Sequence, residues 1–269
     1  GSVSFAYAPE LDSPSVILPL RRPGLGPMFS RTNGDDRLLL TFNYELADLS
    51  PQALIYRDGT GTKVGLNLSH AIGNSIIAYA EWAGGRERDL IGQAIAYGKT
   101  TGTLPAFTPT LFPGDHTYGF KNDAAIGASW TGTDGVTIHL EYHFHQAGLS
   151  GRDWHSWFAL GRPDSGLSPA YNGVLWYIRA FSEDRQDPES RQQIFMHVDW
   201  AHAFGYDLEV SAFAFVNVYD GSSLAQLASR YDLSDNWTIG LYATAAVGAT
   251  ASEFGSAPEN RSLALQLRR

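Results

Sequence analysis

The stretch Val136-Thr-Ile-His-Leu-Glu-Tyr-His-Phe-His145 decides the fold class. Every second residue in it is apolar: Ile138, Leu140, Tyr142 and Phe144. The residues between them are polar: Thr137, His139, Glu141, His143 and His145. Because successive side chains of a β-strand point to opposite faces, this pattern predicts a ten-residue strand with one apolar and one polar face.

The same alternation recurs along the chain and predicts an all-β protein. Clear copies lie at 194–202, 207–218, 237–248 and 260–269, and weaker ones at 38–46, 62–70, 74–83, 122–132, 172–182 and 222–232. Further strands are expected near 3–8, 14–20 and 51–58. Residues near 152–160 either form another strand, which gives 14 strands, or belong to a long loop that folds inward as a plug, which leaves 12.

Short turns alternate with long connections. The turns are at 72–74, 133–135, 204–206 and 233–236, and the long connections at 84–121, 147–171, 183–190 and 249–259. Glycine, asparagine and aspartate in the turns are typical of hairpins. One end of the sheet is therefore expected to carry short turns and the other end long loops. Helical spacing of apolar residues within 86–99 predicts a short helix, and a helical turn is an alternative for 150–158.

Composition excludes several classes of protein. The chain of 269 residues has no cysteine, which removes disulfide scaffolds, thiolate metal sites and cysteine nucleophiles. Its net charge of −9 disfavours a nucleic-acid surface. Apolar residues make up 43% and charged residues 17%, and no apolar run approaches the length of a membrane-spanning helix. Apolar residues instead occupy every second position of the predicted strands.

Strand length separates the two architectures that remain, a soluble sandwich or barrel and a transmembrane barrel. The clear segments are about 9–12 residues long, which suits a bilayer-spanning strand better than a soluble strand of about 5–6 residues. Aromatic residues near the strand ends match the interfacial girdles of membrane barrels. They are Trp82, Trp130, Tyr142, Phe144, Trp176, Trp200, Tyr231 and Trp237.

In these features the chain resembles a bacterial outer-membrane β-barrel of the porin-like kind. The resemblance implies one antiparallel up-and-down transmembrane barrel of about 12–14 strands over 1–269, in contact with the outer-membrane bilayer and lipopolysaccharide. One departure is the end Leu267-Arg268-Arg269, where such barrels commonly finish on an aromatic residue. The end is then either truncated or continued in the natural protein.

Three functions follow from this resemblance. The first is a channel for small polar solutes or ions, constricted by long loops or by the segment of Trp154 and Trp157. The second is a sleeve or scaffold for a threaded partner of a secretion or electron-transfer complex, for example a periplasmic protein or a lipoprotein. The third is an outer-membrane enzyme, which is disfavoured because the sequence has no Gly-x-Ser-x-Gly elbow, phosphate-binding loop or dinucleotide fingerprint. No catalytic residue, nucleic-acid partner or resident cofactor is expected.

The alternation also predicts which side chains line the interior. The expected charged or imidazole residues are Glu45, Lys63, Glu81, His139, Glu141, His143, Arg179, His197, Asp199, Glu209, Arg230 and Arg268. These charges either tune solute selectivity or close a narrow barrel by salt bridges. His139, His143 and His145 share one polar face, and imidazole suits zinc, copper or nickel. A divalent-metal site there, with His197 and Asp199 nearby, competes with a simple polar lining.

Overall fold

A computed structural model describes residues 1–10, 36–47, 49–59, 61–114, 116–167, 169–185, 187–258 and 260–269. These contain twelve strands: β1 (Ser2–Ala8), β2 (Arg37–Asn43), β3 (Leu49–Asp58), β4 (Gly61–Ile72), β5 (Ile76–Glu87), β6 (Gly119–Thr131), β7 (Val136–His145), β8 (Gln192–Trp200), β9 (Leu208–Asn217), β10 (Ser223–Ser234), β11 (Trp237–Val247) and β12 (Arg261–Arg268). The helices are α1 (Leu90–Thr100), α2 (Gly151–Leu160) and α3 (Pro169–Arg185), with a 3₁₀ turn at Ala203–Gly205. The strand expected near 14–20 lies outside the described residues.

The strands form one antiparallel up-and-down sheet in chain order, β1 to β12. The predicted all-β class and hairpin topology are confirmed. Within the described residues β1 and β12 are the two edges and do not pair with each other, so the predicted closure into a barrel is not seen.

The register gives the sheet a polar face and an apolar face, and β4 shows both. Lys63, Asn67 and Ser69 are partly shielded from solvent, whereas Val64, Leu66 and Leu68 are 45%, 58% and 43% exposed. A strand in a water-soluble protein shields its apolar residues and exposes its polar ones. This sheet has the opposite arrangement.

The predicted asymmetry of the connections is confirmed. The turns after β2, β4, β6, β8 and β10 are short and lie at one end, which we call the turn end. The connections after β5, β7 and β11 are long, lie at the other end, the loop end, and include all three helices.

Two strand predictions are wrong because helical periodicity dominates in those segments. Residues 172–182 belong to α3, where Val174, Leu175, Ile178 and Phe181 are buried at helical spacing. Residues 152–160 belong to α2, which begins with a capping box between Ser150 and Asp153. The described sheet therefore has 12 strands rather than 14.

The three helices pack together at the loop end, and we call them the helical cap. Their apolar side chains form the main buried cluster, which contains Leu90, Ile91, Ile95, Trp154, Trp157, Leu175, Ile178 and Phe181 among others. The helix predicted within 86–99 is confirmed as α1, with Asp89 accepting a hydrogen bond from the Gly92 amide as its N-cap. None of the helices described is both long and apolar enough to span a bilayer.

Candidate functional site

The polar face carries a ladder of side-chain hydrogen bonds across its first four strands. Asn43 donates to Ser2 Oγ at 3.3 Å, Gln52 Nε2 donates to Asn43 Oδ1 at 2.5 Å, and Asn67 Nδ2 donates to Gln52 Oε1 at 2.7 Å. These residues are register partners on β1 to β4, so one polar row crosses the sheet. Amide rows of this kind suit a wall that faces water.

A charged cluster occupies the polar face near the loop end. The ammonium group of Lys63 lies 2.9 Å from Glu87 and 3.1 Å from Asp123. On its other side Asp123 lies 2.6 Å from Nδ1 of His145. Lys63 therefore holds two carboxylates from neighbouring strands together, and its single positive charge compensates one of their two negative charges.

Histidine and phenylalanine rings cover the polar face of β7, β8 and β9. Phe195 lies 4.8 Å from Phe215, 6.1 Å from His197 and 6.3 Å from His143, measured between ring centroids. His139 stacks on His197 at 5.6 Å. The phenylalanines interrupt an otherwise polar wall. The alternation of the sequence predicts that they lie on this face, but it does not predict that their rings are in contact.

The structure places most of the predicted lining residues on the polar face. Lys63, Glu81, His139, Glu141, His143, His197, Asp199, Glu209, Arg230 and Arg268 alternate with the outward apolar residues of their strands. Arg230 and Glu209 form an ion pair of 3.1 Å near the turn end. The predicted metal set does not converge, because His143 contacts Glu141 and His145 contacts Asp123.

Two predicted lining residues lie elsewhere. Glu45 is exposed in the turn after β2, because that strand ends at Asn43. Arg179 is on α3 and not on a strand, since its segment is helical. Neither is on the wall of the sheet.

Arg179 is instead the buried centre of the helical cap. Its Nε lies 2.9 Å from a carboxylate oxygen of Glu189. Its terminal nitrogens donate to Ser256 Oγ at 2.8 Å and to the carbonyl of Glu253 at 3.2 Å. The guanidinium also lies 5.5–5.8 Å from the ring centroids of Trp154, Trp157 and Trp176. Cation–π contacts of this kind are stronger when the cation is desolvated.

Glu253 connects the cap to the sheet. Its carboxylate accepts hydrogen bonds from Ser190 Oγ at 2.7 Å, from Asn217 Nδ2 at 2.8 Å and from Gln193 Nε2 at 3.3 Å. Gln193 and Asn217 are register partners on the polar face of β8 and β9. The connection after β11 is thereby fastened to the same face that the cap covers.

Burial shifts the acids of this network. Burial raises the pKa of Glu189 to about 7, although Arg179 opposes the shift. Burial also raises the pKa of Glu253, against the hydrogen bond from Ser190 and the charge of Arg179. Both carboxyls therefore favour the protonated form more than an exposed carboxyl does.

The cap reaches across the loop end to the opposite part of the sheet. Asp187, just after α3, lies within electrostatic range of Lys63 and His145 on β4 and β7. Arg179, two turns earlier on the chain, contacts the connection between β11 and β12. α3 and the residues after it therefore join distant strands, and the cap stands over the polar face.

The apolar face carries aromatic residues at both ends. Trp130, Trp200, Tyr231 and Trp237 lie at the turn end, and Tyr7, Phe120 and Phe144 lie toward the loop end. Between Phe120 and Trp130 on β6 lie ten residue steps. At about 3.4 Å per residue and a tilt of about 45°, ten steps span roughly 24 Å, close to the apolar band of membrane barrels. Trp176, expected in a girdle, is on α3.

The network of Arg179, Glu189 and Glu253 was missed from the sequence. The alternation pattern predicts a strand at Arg179, and Glu253 lies in a connection without regular structure. The available signal was the apolar spacing at Val174, Ile178 and Phe181, which is helical. Partners 63 and 74 residues distant in sequence leave no local pattern.

Comparison with known proteins gives structural likenesses only. No protein-family model matches the chain, and no curated protein matches it. A double mutant of the Rh. blastica porin is 11% identical, with a TM-score of 0.39 over 86% of this chain and 54% of that one. A triple mutant of the same porin gives 11%, 0.40, 87% and 54%. A Pseudomonas aeruginosa FadL homologue gives 12%, 0.28, 80% and 61%.

The chain spans about half the length of the porins it resembles, 54% in each case. At these TM-scores the likenesses carry no weight for function. What the chain does is inferred below from its own residues.

Proposed function

We propose that the protein is a bacterial outer-membrane β-barrel and acts as a conduit for small polar solutes or ions, with the helical cap over one mouth. The observation that carries the proposal is the inverted sheet. Its apolar side chains are exposed on one face, and its hydrogen-bonded and charged side chains share the other. A bilayer outside and water inside is the environment in which that distribution is stable.

The edges of the sheet are consistent with insertion as a closed structure. Unpaired backbone amides and carbonyls are too costly in hydrocarbon, so the open edges of β1 and of β12 must each be paired with a strand when the protein is in the membrane. Both edges present apolar residues outward, Phe5 on β1 and Leu265 on β12 among them, and small or polar residues on the other face. Because the strands alternate in direction, a β1–β12 pair would be antiparallel like all the others.

The proposed conduit is not an enzyme and works by exclusion and charge. Its partners are the bilayer with its lipopolysaccharide and a small polar solute. The cap restricts one mouth, while the Lys63 cluster and the Glu209–Arg230 pair place charges of both signs along the wall. Charged walls of this kind tune which ions pass.

Ion current in planar bilayers tests the conduit. The purified chain of 269 residues, reconstituted at low protein density, is expected to give discrete current steps. An Arg179→Met variant, in which the cap loses its central cation, is expected to give larger or more frequent steps. Heat-unfolded protein in the same detergent is the control. Absence of current from both wild type and variant would contradict the conduit, and a stoichiometric co-purifying protein would then favour a sleeve.

A further inference from the structure

His139 and His197 face each other across two neighbouring strands of the polar face. They are direct register partners on β7 and β8. Their rings are nearly parallel, with an interplanar angle of 21°. Asp199 follows His197 by two residues on β8 and therefore points to the same face. The three side chains form a group near the turn end of the sheet.

The ligand atoms of this group are close enough to share one ion. One nitrogen from each imidazole and one oxygen of Asp199 all lie within 4.8 Å of one another. Nδ1 of His197 and the Asp199 oxygen are 3.3 Å apart. Two ligands about 2.0–2.2 Å from a tetrahedral ion are separated by roughly 3.3 Å. His197 and Asp199 therefore already have the spacing of two ligands, and only His139 needs to approach.

A third strand orients His197 for this role. Nε2 of His197 lies 3.0 Å from Ser211 Oγ on β9. Ser211 is the register partner of Asp199, so its position is fixed by the ladder. When Nε2–H donates to this hydroxyl, the lone pair of Nδ1 points toward Asp199 and is free for an ion. Metal-binding histidines commonly donate their second ring nitrogen to such an outer partner.

Other histidines in the described part of the chain lack this arrangement. His145 pairs with Asp123 at 2.6 Å, and His116 pairs with Asp89 at 2.7 Å. His143 contacts Glu141. Each has a carboxylate but no second imidazole within reach. Within the described residues, the group of His139, His197 and Asp199 is the one in which three such ligands converge.

We propose that His139, His197 and Asp199 bind one Zn²⁺ ion on the polar face of the sheet. Two imidazoles and a carboxylate form a donor set that suits zinc and related divalent transition metals. Three protein ligands leave a fourth position for water or a passing solute. The site lies on the wall of the proposed conduit, but its ability to bind metal does not depend on whether solutes pass.

Titration with Co²⁺ as a coloured substitute for Zn²⁺ tests the site. The full chain is purified without a histidine tag and studied in detergent. One equivalent of Co²⁺ is expected to produce the visible absorption of a tetrahedral complex, and Zn²⁺ is expected to displace it. His139→Ala and His197→Ala should weaken binding by more than about 100-fold, and Ser211→Ala, which removes the outer partner, by about 10-fold.

His143→Ala and His145→Ala are the matched controls, since both lie on β7 and on the same face as His139. Their affinity should equal that of the wild type. Retained heat-modifiable migration of each variant on gels shows that the sheet is intact. The proposal is overturned if wild type binds no Co²⁺, or if His143→Ala weakens binding as much as His139→Ala does.

Discussion

Arg179→Met is expected to open the helical cap while leaving the sheet intact. Methionine keeps most of the length and apolar character of the side chain and removes only the guanidinium. Arg179 and Glu189 are 8% and 11% exposed, so the lost ion pair is a buried one. Removing one partner of a buried pair costs about 3–5 kcal/mol, because the remaining charge is left without compensation. The contacts to Ser256 and to three indole rings are lost as well.

A double-mutant cycle separates the ion pair from the packing. Glu189→Gln leaves Arg179 with Ser256, the Glu253 carbonyl and the indoles, so its cost should be about 1–3 kcal/mol. In the double variant no uncompensated carboxylate remains at position 189. We therefore expect it to be more stable than Arg179→Met alone, which requires a coupling between the two positions that exceeds the cost of Glu189→Gln by itself.

Hydrogen exchange measured by mass spectrometry at pH 8 follows the cap and the sheet separately. Peptides from α2 and α3 should exchange about 100-fold or more faster in Arg179→Met, because 1.4 kcal/mol corresponds to about a tenfold change. Peptides from β6 and β7 should be unchanged. The reasoning is refuted if α3 exchanges at the wild-type rate, or if the costs of the two single substitutions simply add.

Three further perturbations follow from the same geometry. Burial raises the pKa of Glu189 to about 7, above the ordinary 4.5, so folding favours its protonated form. The free energy that protects the amides of the helical cap from exchange should therefore be greatest below about pH 4.5. It should fall by at most about 3 kcal/mol as the pH rises to 7. Hydrogen exchange corrected for intrinsic rates should show this fall in wild type and a smaller one in Glu189→Gln, and protection that rises with pH would contradict it. Leu227→Arg, on the apolar face of β10, should destabilise the bilayer-inserted protein by about 2–4 kcal/mol in denaturant titrations. Gln226→Arg, on the polar face of the same strand, should cost far less. Equal costs would mean that the two faces are wrongly assigned. Lys63→Met removes the cation between two acids, so the reversal potential in a KCl gradient should shift toward K⁺ selectivity, and an unshifted potential would place Lys63 away from the ion path.

The sheet could be predicted from the sequence because each strand carries its own two-residue period. Leu140 and His139 reveal their opposite faces without reference to any distant residue, and the structure places them accordingly. The two-residue period is misleading at Arg179, because it predicts a strand for a segment that forms α3. Apolar residues at 174, 178 and 181 fit a helical period, and the buried cluster decides between the two readings.

The candidate metal site shows the second limit. The sequence favours His139, His143 and His145, which share one face of a strand. At about 6.5–7 Å for every two residues, His143 and His145 are one such step apart, but His139 and His143 are two steps, about 13–14 Å, apart. Convergence requires partners across strands, and which residue of β8 lies opposite His139 depends on the exact register. β7 and β8 are joined by a connection that contains two helices, so the sequence places His197 and Asp199 nearby but no local pattern gives the register that pairs His197 with His139.

Collision accessibility along β7 tests the inverted sheet most directly. The chain has no cysteine, so single cysteines at positions 138 to 142 can be spin-labelled without a background, in protein reconstituted into lipid bilayers. Labels at 138, 140 and 142 should collide mainly with oxygen, which concentrates in lipid, and labels at 139 and 141 mainly with a water-soluble paramagnetic complex. Equal access of that complex to both sets of positions, or no alternation at all, would contradict a sheet with lipid on one face and water on the other.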